Sequence, residues 1–93
     1  MTTIKINLGE PACNRRNEVI GDEPIIIGLP YEAIEARAFV KEAGARWHSP
    51  SKTWEIHNWS GTGEGMARFI EAMRQFGNVI VWKQAQRMLD DLA

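Results

Sequence analysis

The chain has a single cysteine, Cys13, so no intramolecular disulfide can staple it. Its fold must be held by a core, as suits a reducing compartment. Charge of neither sign is in excess: eleven Lys+Arg stand against twelve Asp+Glu, a net charge of −1. Counterion-driven binding of nucleic acid needs a basic surplus, and imitation of DNA needs an acidic one. The balance excludes both as properties of the whole chain and leaves nucleic acid to a local patch. Long apolar runs are missing as well. Ile25-Ile26-Ile27 and Val79-Ile80-Val81-Trp82 fall far short of the roughly 20 residues that span a bilayer. The opening Met1-Thr2-Thr3-Ile4-Lys5-Ile6 has no basic segment followed by an apolar stretch, so no secretory signal is expected and the cytoplasm is the expected home.

Residues that carry chemistry are sparse. His48 and His57 lie at opposite ends of one short segment, and Cys13 is the only thiol, which gives no zinc-ligand spacing. Gly61-Thr62-Gly63-Glu64-Gly65 lacks the Lys-Ser/Thr of a phosphate-binding loop and the G-x-G-x-x-G spacing. Glu64 would also repel a phosphate at that helix N-terminus. No Ser–His–acid or Cys–His arrangement can be argued from spacing. The paired acids Asp90 and Asp91 sit at a fraying end, poor ground for acid–base chemistry that needs fixed geometry. The expectation is a protein without catalytic residues, metal or cofactor.

What is present is the pattern of a small α+β fold. The chain's 93 residues are 44% hydrophobic and 25% charged, ordinary for one globular domain. A chain of this size buries about 60–65% of its unfolded surface, which leaves little room for a deep cleft beside the core. Residues 1–93 are read as one domain, with no repeat and no internal linker. Thr3 to Leu8 alternates Ile4, Ile6 and Leu8 with Lys5 and Asn7, the period of a half-buried strand. Val19 to Gly21 reads as a short extended piece, and Ile25 to Leu29 as a buried strand. After Pro30, a helix is predicted over Tyr31–Ala43, with Ala33, Ala36, Phe39, Val40 and Ala43 on one arc and Gly44 as the residue that ends it. Two β-prone runs around Ser49-Pro50-Ser51-Lys52 predict a hairpin. With Trp47 opposite Trp54, Ala45, Trp47, Trp54 and Ile56 share one face, and Arg46 lies opposite Glu55 on the other. Both hairpin indoles are therefore expected in the core, beneath the helices.

Met66, Phe69, Ile70, Met73 and Phe76 form a core stripe, predicting a helix at about 63–76. Val81, Trp82, Ala85, Met88, Leu89 and Leu92 form another arc, predicting a last helix at about 79–92, although Val79 to Trp82 also fits a strand. The expected architecture is a small antiparallel sheet, built on a strand–helix–hairpin unit at 25–57 and packed by about three helices, the C-terminal ones within 63–92.

Gly44, Ala45, Arg46, Trp47, Pro50, Lys52, Trp54 and Ile56 match a recurring pattern: a helix ending in Gly-Ala-Arg-Trp, a Pro-containing turn, then Lys-x-Trp and a hydrophobic residue. In this the chain resembles a family of short domains of unknown function in plasmid- and phage-borne proteins, often beside primase, relaxase or other DNA-handling modules. More distantly it is similar to the HARP module of annealing helicases. The likeness covers about Ile25 to His57, and His48 stands where the family usually has aspartate. The resemblance implies a strand–helix–hairpin unit and a mobile-element context.

Two functions are weighed. One is a non-catalytic phage- or plasmid-type accessory protein. It would bind a protein of host nucleic-acid machinery and inhibit host defence, as an anti-CRISPR does. The candidate partner-binding residues are Tyr31, Trp59, Arg15, Arg16 and Arg46, types enriched at hot spots. The alternative is a single-stranded nucleic-acid-binding module, with Arg46 and Lys52 on phosphates and a hairpin Trp stacking on bases. No membrane partner is expected.

Overall fold

Alternation at the start of the chain produces β1 (Thr3–Leu8), with Ile4, Ile6 and Leu8 buried and Lys5 exposed. These are coordinates of a computed structural model, which describes residues 2–10, 15–18 and 23–91. Cys13, the expected extended piece from Val19 to Gly21, and Leu92 lie outside the described residues. The β-branched run gives β2 (Ile25–Gly28), antiparallel to β1, with Ile27 facing Ile6 and Ile25 facing Leu8.

Helix α1 (Ile34–Glu42) starts three residues later than predicted. Pro30 to Ala33 forms a turn, closed by the Ala33 N–H on the Pro30 carbonyl at 3.1 Å, and this turn holds Tyr31 and Glu32 outside the helix. Its end matches the expectation. Gly44 takes a φ of 97°, the Gly44 N–H donates to the Lys41 carbonyl and the Ala45 N–H to the Val40 carbonyl. This pair of bonds is the Schellman closure, which favours glycine at that φ. The predicted hairpin follows as β3 (Arg46–His48) and β4 (Thr53–Ile56), and β4 pairs antiparallel with β2.

Helix α2 (Gly63–Met73) is capped by Thr62, whose hydroxyl accepts the Gly65 N–H at 3.0 Å. A 3-10 turn at Arg74–Phe76 continues it. The chain then forms β5 (Asn78–Val81) and α3 (Lys83–Asp90). The single helix expected over 79–92 is therefore divided. Its first residues, Val79, Ile80 and Val81, are β-branched, and they pair parallel with β1, Val79 beside Ile4 and Val81 beside Ile6. Gly77 makes this junction possible, because a Cβ there would lie 2.5 Å from the Thr2 carbonyl oxygen.

Among the described residues the sheet has five strands in the order β3-β4-β2-β1-β5. The architecture is α+β with three helices, and the sheet is mixed because β5 joins in parallel. One core holds the inward residues of β1, β2 and β4 together with Ala36 and Val40 of α1, Met66, Ile70 and Met73 of α2, and Ala85 of α3. The helices thus lie on one side of the sheet. Lys5, Asn7, Ile26, Gly28, Thr53, Glu55, Arg46 and Ile80 belong by register to the other side. No helix among the described residues is long and apolar enough to cross a membrane.

Candidate binding site

The hairpin has the predicted register, with Arg46 opposite Glu55, Trp47 opposite Trp54 and His48 opposite Thr53. Its four-residue loop, Ser49 to Lys52, returns the chain through Lys52 at φ 55°, a left-handed conformation that a non-glycine residue adopts at a cost. Trp47 and Trp54 touch edge to face, their ring centres 5.4 Å apart and their planes at 61°.

The two indoles share a face but not an environment. Trp54 neighbours Ile27 of β2 and is half-buried against the core. Trp47 sits one strand further out, on the edge strand β3, and is 53% exposed. The expectation that both are core is corrected for Trp47, because its face continues beyond the cover that the helices provide.

Helix α1 brings the charge. Arg37 and Lys41 are one turn apart and lie on the same flank. Lys41 Nζ lies 5.4 Å from the centre of the Trp54 ring. The Arg37 guanidinium lies 5.3 Å from the Tyr31 ring centre and also donates to the Tyr31 carbonyl. Tyr31 is 89% exposed. Together Leu29, Tyr31, Arg37, Trp47, Lys52 and Trp54 line an open cleft of about 340 Å³ with no carboxylate among them. Cations over aromatic faces, with further ring surface bare to water, make a place where a flat π-system can stack while an anion is neutralised beside it.

The other candidate residues are dispersed. Lys52 and Tyr31 belong to the cleft. Trp59 does not: its indole N–H donates to the Glu23 carbonyl at 2.7 Å and its ring packs against the core edge, so it is a half-buried clasp between distant segments. Arg46 lies on the opposite side of the hairpin, beside Gly44, His57 and Asn58. Arg15 and Arg16 are exposed in the segment between β1 and β2, outside the cleft lining. Arg37 and Lys41 were missing from the sequence-based candidates, whereas Trp47 belongs to the hairpin weighed there for base stacking. The spacing of Arg37 and Lys41 was visible, as was the hairpin, but the packing that sets one against the other was not.

The uncovered side of the hairpin gathers ionisable groups in a different arrangement. One Glu55 oxygen lies 3.0 Å from His57 Nε2, and the other lies 3.5 Å from His48 Nδ1. With its carboxylate turned to both histidines, Glu55 makes no ion pair with Arg46 among the described residues, although the register places them opposite each other. Ser51 Oγ is 2.6 Å from His48 Nδ1. Serine, histidine and acid therefore meet, but hydroxyl and carboxylate face the same ring nitrogen. A relay needs them on opposite nitrogens, so this is a hydrogen-bonded brace for the hairpin loop. Among the described residues no group of three His, Cys, Asp or Glu side chains is placed to hold a metal ion. No protein-family model, curated protein or solved structure matches the chain.

Proposed function

We propose that this protein is a non-catalytic binding module whose working surface is the cleft between α1 and the hairpin, and that its ligand is single-stranded nucleic acid. The observation that carries the reading is Trp47. An indole exposed beside Trp54 and Tyr31, with Arg37, Lys41 and Lys52 around them, joins the two components that sequence-tolerant strand binding uses. Stacking contributes about 1–3 kcal/mol per base, and cations follow the phosphates. The whole chain supplies no basic surplus, so binding rests on this patch and stays sensitive to salt.

Labelled single-stranded DNA and RNA, titrated first at low salt, test the reading. With three cations engaged, log affinity should fall with log salt at a slope of about −2, and Trp47→Ala should weaken binding by about 5- to 150-fold. A protein that binds neither polymer at low salt refutes it.

A second reading places a protein in the same cleft. Tyr, Trp and Arg are the residues that dominate protein interfaces, and the net charge of −1 suits a protein partner better than a polyanion. The resemblance to mobile-element domains supports an accessory role on nucleic-acid machinery, as an inhibitor of host defence, with Arg15 and Arg16 as further contacts. Absence of strand binding, together with a partner lost on Tyr31→Ala and Trp47→Ala, would select this reading.

A further inference from the structure

The sheet side away from the helices carries a second aromatic position. Trp82 follows β5 directly and is 50% exposed, and its neighbour Ile80 is 48% exposed. Lys5 Nζ stands 6.0 Å from the centre of the Trp82 ring. Lys5, Asn7, Ile26, Gly28, Thr53 and Trp82 line a shallow, largely apolar recess of about 250 Å³ that includes no carboxylate. Gly28 leaves its floor without a side chain. Asn7 lines the recess as well, its amide oxygen buried and without a hydrogen-bond partner in the fold.

This recess and the cleft lie on opposite sides of the sheet yet share a rim. Gly28 and Thr53 line the recess, while their chain neighbours Leu29 and Lys52 line the cleft. The end of β2 and the hairpin loop thus border both at that edge. Both places present an indole with a cation beside it.

We propose that Trp82 is a second base-stacking position, and that a nucleic-acid strand seated in the cleft continues over the Gly28–Leu29 and Lys52–Thr53 rim onto the uncovered sheet. The inference rests on the nucleic-acid reading of the cleft. Trp82 takes the face of a base and Lys5 meets the adjoining phosphate. The strand is therefore held at two points on opposite sides of one sheet, and short strands reach only the first.

Oligonucleotides of about four and about twelve nucleotides, DNA and RNA, separate the two positions. Trp82→Ala should weaken the longer strand by about 5- to 150-fold and leave the shorter one unchanged, whereas Trp47→Ala should weaken both. Trp82→Phe should restore the longer strand's affinity. Lys5→Glu, at an exposed position, should reproduce the selective loss if Trp82→Ala proves unstable. Equal affinity of wild type and Trp82→Ala for both lengths, with Trp47→Ala weakened, overturns the second position and keeps the cleft. A Trp82→Ala loss that is the same for both lengths also overturns it. Failure of wild type to bind either length removes the cleft reading and this inference together.

Discussion

Replacing the two hairpin tryptophans one at a time separates packing from recognition. Aromatic side chains bury about 150–250 Å² in a core. Trp47 is 53% exposed, so it hides about half of that, roughly 100 Å². At about 25 cal/mol per Å² this is near 2.5 kcal/mol. The edge contact with Trp54 adds about 0.5–1.5 kcal/mol, while the compactness of real unfolded chains removes 10–40% of the area term. Trp47→Ala should therefore cost about 2–4 kcal/mol. Trp54→Ala removes a ring wedged between Ile27, Lys41 and the core and should cost at the upper end of the about 3–5 kcal/mol known for such truncations. Chemical denaturation followed by circular dichroism measures both, free of the lost indole fluorescence. Trp47→Ala should be the milder change for stability, and strand titration should rank it as a severe one for binding. Equal destabilisation by the two substitutions would show that Trp47 is enclosed, and the cleft would lose its principal stacking surface.

Three further expectations follow from the backbone. Lys52→Asn should raise stability by up to about 1 kcal/mol, because asparagine tolerates φ 55° better, and should weaken strand binding by removing a cation. A denaturation midpoint that falls would contradict the strain assigned to Lys52. Gly77→Ala should destabilise by about 1–3 kcal/mol, since its methyl would meet the Thr2 carbonyl at 2.5 Å; a neutral result would mean that the β1–β5 junction can part without loss. Thr62→Ala should cost about 0.5–2 kcal/mol through the lost cap on the Gly65 N–H, with Thr62→Ser retaining most of it.

How far the sequence disclosed this structure depends on the element. The hairpin register was legible because two independent patterns agree on it: apolar residues pair on one side, and Arg46 meets Glu55 on the other. The end of α1 was legible because few residues other than glycine favour the backbone of Gly44. The segment from Val79 to Trp82 was ambiguous, since its residues fit a strand and a helical arc alike. Pairing with β1, distant in sequence, decided it. The exposure of Trp47 was illegible for a related reason. Alternation assigns a side chain to a face, but whether that face is covered depends on how far the helices extend across the sheet. The cleft joins α1, the hairpin and Tyr31 through tertiary contact, so no local motif announced it. Trp59 shows the same limit in reverse: its neighbours in sequence are polar, and its partner is the carbonyl of Glu23.

Strand β1 occupies the interior of the sheet, and one of its two neighbours, β5, lies far along the chain from it. Before β5 pairs, Ile4 and Ile6 have an open flank, a hazard for edge-to-edge association. Closing that flank joins chain segments as distant as Thr3 and Asn78, a non-local step that slows folding relative to a helical bundle of the same size. Strand β5 therefore acts as a latch: chains cut short before Asn78 should be recovered as aggregates even though the cleft and its hairpin are encoded in full.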